Sequence, residues 1–234
     1  LLEYLRANKL TGTKEGCAEG DCGACSVAMV EQNSNGKNCF RAINSCLVPL
    51  PLLAGRNVVT VEGVANGELH ATQKAMVENF GSQCGYCTPG IVMSLFEGFY
   101  RDDLKEDWQL DDQLCGNLCR CTGYRPIRDA AIEAFAKGKT CNGADAFAEQ
   151  LKTCDAKLKQ AEYESGGEQF FRPTSLKSLF KLMAEIPDAR LIAGATELGL
   201  DITKRFKKFP ALISVEAVPE LTECKSTESE WQIG

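Results

Sequence analysis

Thirteen of the 234 residues are cysteine, and a single residue, His70, is histidine. No other feature narrows the possible folds so far, because so many thiols must be either cross-linked or used as ligands. No basic, apolar and small-residue export signal opens the sequence, so a reducing, cytoplasmic setting is expected, where metal binding wins over a disulfide framework. One histidine excludes a Rieske centre, which needs two on one iron, and a zinc finger of two cysteines and two histidines.

Spacing sorts the thiols. Cys17, Cys22 and Cys25 form C-x4-C-x2-C, the spacing of plant-type [2Fe-2S] ferredoxins, in which a fourth cysteine comes later. Gly16, Gly20 and Gly23 permit a loop whose amides turn toward the sulfurs, as in an anion-binding nest, and offset the negative charge of a thiolate-bound cluster. The fourth ligand is Cys39 or Cys46. Cys39 lies inside an alternating stretch expected to form a hairpin, whereas Cys46 follows it in a loop, and Cys46 is chosen. The second set joins Cys84-Gly85-Tyr86-Cys87 to Cys119-Arg120-Cys121. Each pair precedes a proline-started helix, whose N-terminal partial charge suits an anionic cluster. The C-x-C pair is tighter than the two to four intervening residues usual for structural zinc. Cys115, Cys141, Cys154 and Cys224 have no partner at ligand spacing and read as core or surface thiols.

The composition, 44% hydrophobic and 25% charged, is that of a globular chain with room for cored domains of roughly 100–200 residues. A net charge of −6 argues against nucleic acid as a partner, and the short cationic run Lys204, Arg205, Lys207 and Lys208 reads as a solvated helix end. No apolar run approaches the roughly 18 residues of a membrane span. Alternation predicts strands over Ser26–Val30 and Cys39–Ala42 about an Asn35-Gly36 turn, and another over Asn57–Val61. Helical periodicity picks out Leu69, Met76, Val77 and Phe80, then Ile91, Val92, Leu95, Phe96 and Phe99, then Trp108 to Leu118 and Pro126 to Ala136, an expected four-helix bundle. A further helix is expected over Ala144 to Leu158, in a polar linker ending at Ser165-Gly166-Gly167. A helix over Ser175–Ala184 and strands over Arg190–Ala193 and Ala211–Val215 follow. The expected organisation is α+β and multidomain: 1–63, 64–140, a linker 141–168, and 169–234. The start at Leu1-Leu2-Glu3, without methionine or N-cap, is read as that of a fragment.

Three stretches resemble the molybdenum hydroxylase family, and within it the iron–sulfur/FAD subunit of bacterial xanthine dehydrogenases. They are Thr11 to Cys25, Gly81-Ser-Gln-Cys-Gly-Tyr-Cys-Thr-Pro-Gly90, and Gly116-Asn-Leu-Cys-Arg-Cys-Thr-Gly-Tyr-Arg-Pro126. The resemblance implies a ferredoxin-like β-grasp domain, a four-helix [2Fe-2S] domain and the start of an FAD-binding domain. It implies Cys46 as fourth ligand, with the helical domain's cluster nearer a molybdopterin and the other nearer a flavin. Gln83 and Cys121 match positions that approach the pterin. Leu191, Ile192, Ala193, Gly194, Ala195, Thr196, Glu197 and Leu198 match the family's first flavin-binding loop, although Ala195 stands where many members have Asn or Gly. The family's opening strands, and the second half of its FAD domain, are expected outside this chain.

The function implied is an electron relay: from a molybdenum centre on a large subunit, through two [2Fe-2S] clusters, to FAD and NAD. No residue here is a candidate general base for the hydroxylation itself. An aldehyde or carbon monoxide dehydrogenase subunit would carry the same cluster motifs, and a zinc-stabilised adaptor is the rival from a different class.

Overall fold

The computed structural model describes residues 1–65, 67–138, 145–227 and 229–234. The chain divides into two compact units, one of Leu1–Leu47 with Arg56–Ala156, the other of Val48–Gly55 with Lys157–Gly234. The boundary expected at 140/141 and Cys141 lie outside the described residues.

In the first unit, α1 (Leu2–Ala7) buries Leu2 and Leu5. Strands β1 (Ser26–Gln32) and β2 (Asn38–Asn44) form the expected antiparallel hairpin, extended at both ends. The expected strand over Asn57–Val61 shrinks to β3 (Val58–Val59), which pairs with β1, because Thr60 leads directly into α2 (Val61–Val64). Four helices follow: α3 (Ala71–Glu78), α4 (Thr88–Phe99), α5 (Asp107–Leu114) and α6 (Arg125–Gly138). His70 caps α3 in a reciprocal box with Gln73, and Pro89 occupies the first turn of α4, where its missing N–H costs nothing.

Helix α4 joins two cores. Ile91, Val92 and Leu95 pack with Ala75 and Met76 of α3, Leu110 of α5, and Ile127, Ala130, Ala131 and Ala134 of α6. Met93 and Phe96 face Ala28, Val30 and Phe40 of the sheet. A helix apolar on both faces is one buried on both, which explains the dense run from Ile91 to Phe99. Glu97, also buried, accepts hydrogen bonds from the Ala42 amide (3.1 Å) and the Gln113 amide group (3.2 Å), tying β2 to α4 and α5.

The face expected for α3 holds at Met76 and is corrected at the other three positions. Leu69, Val77 and Phe80 are 55%, 66% and 82% exposed, whereas Thr72, Ala75 and Met76 are buried. The buried stripe sets small Thr72 and Ala75 beside Met76, which lets α3 pack against α6, so counting large apolar side chains finds only Met76. Helix α7 (Ala146–Thr153) is shorter than expected and capped by Asp145. It is no bare linker, because Phe147 and Leu151 pack on the Phe40–Phe96 core.

In the second unit the order is β4-β5-β7-β6, with β4 (Ala161–Ser165), β5 (Glu168–Arg172), β6 (Arg190–Ile192) and β7 (Ala211–Ser214). The first two strands are antiparallel and the other pairings parallel, the crossovers carrying α8 (Leu176–Glu185) and α9 (Leu198–Thr203). Ser165-Gly166-Gly167 is therefore a hairpin turn rather than a linker end. Gly166 and Gly167 both have positive φ (60° and 82°), the conformation a two-residue hairpin turn requires. One face of this sheet packs on Leu179 of α8, and the other on Leu52 of a 3-10 turn at Leu50–Leu53. A separate hairpin, β8 (Cys224–Ser226) and β9 (Trp231–Ile233), completes the unit. Asp201 pairs with Arg205 and Lys207, so that part of the basic run is a solvated helix end.

Candidate metal centres

The hairpin brings the first thiols together. Cys25 immediately precedes β1 and Cys46 lies just beyond β2, and the register pairs Ser26 with Asn44 at that end. The Cys25 and Cys46 thiols consequently lie close enough for each to shift the other's proton affinity. Cys17 and Cys22 form a second pair: the Cys17 amide donates to Cys22 Sγ at 3.3 Å, and the Cys22 and Glu19 amides donate to Cys17 Sγ at 3.4 and 3.3 Å. The Asp21 amide also reaches Cys17, and the Gly20 amide reaches Cys46. This is the inward-facing nest of amides that an anionic centre needs. Cys39 lies apart on β2 opposite Glu31, its thiol pushed up by burial and by Glu31.

The second set is also two pairs. Cys87 contacts Cys119, and Cys84 contacts Cys121. Cys87 is the N-cap of α4, as expected, but Cys121 lies four residues ahead of α6, separated from it by Tyr124 at φ 68°. The helix-terminus argument therefore holds for one pair only. Cys119 is buried, with Thr122 Oγ1 3.1 Å from its sulfur and the Tyr124 hydroxyl accepting its amide at 2.9 Å. Neither Thr122 nor Tyr124 was singled out from the sequence, and neither was Asn44, which holds the Gly20 carbonyl at 2.7 Å. Each stands within three residues of a cysteine, the signal that would have found them.

Proton affinities follow from the pairing. Hydrogen bonding to Cys46 draws Cys25 down to about 7, while the same contact and burial push Cys46 far up. Burial would raise Cys17, but the amides of Glu19 and Cys22 outweigh it and hold it below the ordinary thiol value. In the second set burial and Cys119 push Cys87 up to about 12, the Cys84 thiol raises Cys121, and Thr122 outweighs burial to lower Cys119. In the Cys25–Cys46 pair one thiol is thus the more acidic, and binding a cation would displace the other's proton. Among the described residues no group of three or more His, Cys, Asp and Glu is arranged to hold one metal ion. Two pairs per set fit a two-iron centre, in which each iron takes two thiolates.

The two sets adjoin within the first unit. The Leu118 amide, next to Cys119, donates to the Cys22 carbonyl at 3.0 Å, and Asn117 Nδ2 reaches the Gly23 carbonyl at 3.3 Å. A Cβ at Gly90 would overlap the Gly23 carbonyl, and one at Gly23, whose φ is 67°, would overlap the Gly116 carbonyl. Only glycine permits this approach.

In the second unit, Leu191 to Leu198 turns from β6 into α9. Ile192, Ala195 and Leu198 support it from the core, while Leu191, Ala193, Gly194, Thr196 and Glu197 are exposed. A Cβ at Gly194 would meet nothing within 4 Å, so the backbone there is open to close approach, as a pyrophosphate requires. Ala195 takes φ 59°, a left-handed conformation costly for alanine.

Comparison with known proteins matches this layout. Residues 1–50 match the 2Fe-2S iron-sulfur cluster binding domain, 60–132 the [2Fe-2S] binding domain, and 162–234 the FAD binding domain in molybdopterin dehydrogenase. The structure resembles quinoline 2-oxidoreductase from Pseudomonas putida 86, with 30% identity over 61% of this chain and 85% of that one, at a TM-score of 0.52. The chain belongs to the molybdenum hydroxylase family. Within that family it is 34% identical over its whole length to xanthine dehydrogenase 2 of Arabidopsis thaliana and 36% identical to xanthine dehydrogenase of Emericella nidulans. It spans 22% and 21% of the length of those two relatives. Aldehyde oxidoreductase from Desulfovibrio gigas is 35% identical over 59% of this chain and 15% of that one, with a TM-score of 0.52. The expected fold class stands: two [2Fe-2S]-binding domains and the start of an FAD-binding domain. No described helix is long and apolar enough to cross a membrane.

Proposed function

We propose that this chain is the electron-transfer region of a xanthine dehydrogenase-type molybdenum hydroxylase. Cys17, Cys22, Cys25 and Cys46 would hold one [2Fe-2S] cluster, and Cys84, Cys87, Cys119 and Cys121 the other. When bound, such clusters supply one-electron storage; the chain supplies geometry and charge compensation. The amides of Gly20, Asp21 and Cys22 stabilise thiolate at the first site, and Thr122 does so at the second. Exposed Gln83, Cys84 and Cys121 mark the side from which a molybdopterin on a large subunit would be reached. The exposed backbone of Leu191 to Leu198 would receive FAD, with NAD as the final acceptor.

The observation that carries this reading is the meeting of the two thiol sets through the Leu118–Cys22 hydrogen bond, at 3.0 Å, within one compact unit. Such a contact gives electrons a short covalent and hydrogen-bonded route between sites, which two structural zinc ions would not need. The pairwise thiol arrangement also favours two-iron centres over single zinc ions. Iron and acid-labile sulfide analysis with a visible spectrum tests it: two clusters give four irons and a red-brown protein, whereas a zinc adaptor is colourless. The similarity to aldehyde oxidoreductase supports a second reading, in which the same relay serves an aldehyde-oxidising centre.

A further inference from the structure

The loop from Glu15 to Glu19 carries Cys17 and is mostly exposed, yet it holds Ala18 at φ 54°. A non-glycine residue stays in that region only when its surroundings over-determine it. Two ties come from around the first thiol set: the Lys14 amide to the Ala24 carbonyl at 3.1 Å, and Asn44 to the Gly20 carbonyl at 2.7 Å. Another comes from the second set. Tyr86, between Cys84 and Cys87, donates its hydroxyl to the Glu15 carbonyl at 2.5 Å, across 71 positions of sequence. The Arg6–Glu15 ion pair at the same residue is exposed at both ends, so it adds little.

We propose that Tyr86 is a positioning residue for the first thiol set, although it belongs to the second. Its hydroxyl fixes the peptide entering the Cys17 loop, and so the direction in which the Cys17 amide points at Cys22 Sγ. The ring rises from a turn shaped by Gly85 at φ 84° and anchored where Cys87 caps α4. The second set therefore offers a rigid post to a loop that is otherwise at the surface. Removing the hydroxyl should loosen the distant site and spare the local one.

The proposal rests on the two-cluster reading for its consequence, but not for its test. Amide hydrogen exchange is measured on the full chain and on Tyr86→Phe, which keeps the ring. A half-exposed hydrogen bond lies at the low end of the usual range, so exchange across residues 16–22 should rise about two- to fivefold, with residues 85–91 unchanged. Tyr86→Leu, which also removes the ring, should loosen residues 16–22 at least as much. In the cluster-loaded chain, chelator-driven loss of the first cluster's electron paramagnetic resonance signal should quicken by a similar factor in Tyr86→Phe, its g-values shifting while the second signal holds. Faster exchange confined to 85–91, or equal loosening of both sites, would overturn the proposal. A chain that takes up no iron would instead fail the electron-transfer reading, and the exchange pattern would still decide the role of Tyr86.

Discussion

Replacing Arg172 by methionine removes a buried guanidinium while keeping most of its length and volume. Arg172 is 1% exposed and donates to the carbonyls of Ala54 (2.9 Å), Leu52 (2.6 Å) and Pro51 (3.3 Å), with its guanidinium carbon 5.7 Å from the Phe170 ring centroid. It thereby pins Val48–Gly55, the stretch just after Cys46, to β5. Two of the three bonds are short, and charge-assisted bonds contribute about 1.5–3 kcal/mol each. Rewatering of the freed carbonyls and relief of a buried charge return part of that. The expected net loss for the second unit is about 2–4 kcal/mol. Hydrogen exchange reads it locally: the Leu52 and Ala54 amides, bonded at 3.2 Å to Pro49 and Pro51, should exchange about 30- to 700-fold faster, at a factor of ten per 1.4 kcal/mol. Arg172→Lys, with a point charge in place of a fork, should recover only part of the loss. A change below about threefold in Arg172→Met would refute the anchoring role.

Gly90→Ala should destabilise the first unit by about 1–3 kcal/mol in denaturant titrations, since the new methyl group overlaps the Gly23 carbonyl and both elements are fixed. Burial lowers the His70 pKa, outweighing Asp145, and its Nδ1 accepts from the Thr72 amide at the start of α3. With the folded value depressed, its contribution is present above the ordinary imidazole value of about 6.5 and is lost as pH falls through the folded value. His70→Gln should flatten that part of the stability-versus-pH curve. Cys39→Ser should leave iron content near that of the parent chain while Cys46→Ser lowers it by about half, because only Cys46 faces Cys25; the reverse result would move the fourth ligand onto β2.

That the thiols gather into two sets was legible in the sequence from their spacing, and the structure brings their members together. The choice of Cys46 over Cys39 followed from hairpin geometry, and the register at Ser26–Asn44 gives its physical basis. Two misreadings have different causes. On α3 the sequence picked out Leu69, Met76, Val77 and Phe80, of which only Met76 lies inside, beside small Ala75 and Thr72, since close helix packing rewards small size. Ser165-Gly166-Gly167 was read as the end of a linker because glycine also serves linkers, and only the pairing of β4 with β5 shows the turn. The ties between the sets, from Tyr86, Leu118 and Asn117, had no sequence signature, because each spans a long separation and two of the three use a backbone carbonyl and a side chain of ordinary type.

The central claim, two separate [2Fe-2S] centres on eight named thiols, is tested most directly by electron paramagnetic resonance of the reduced chain alongside Cys17→Ser and Cys119→Ser. The account predicts two distinct signals in the parent chain, loss of one in Cys17→Ser, and loss of the other in Cys119→Ser, with iron falling by about half each time. A parent chain with no iron signal, or loss of both signals from either substitution in a folded protein, would contradict it.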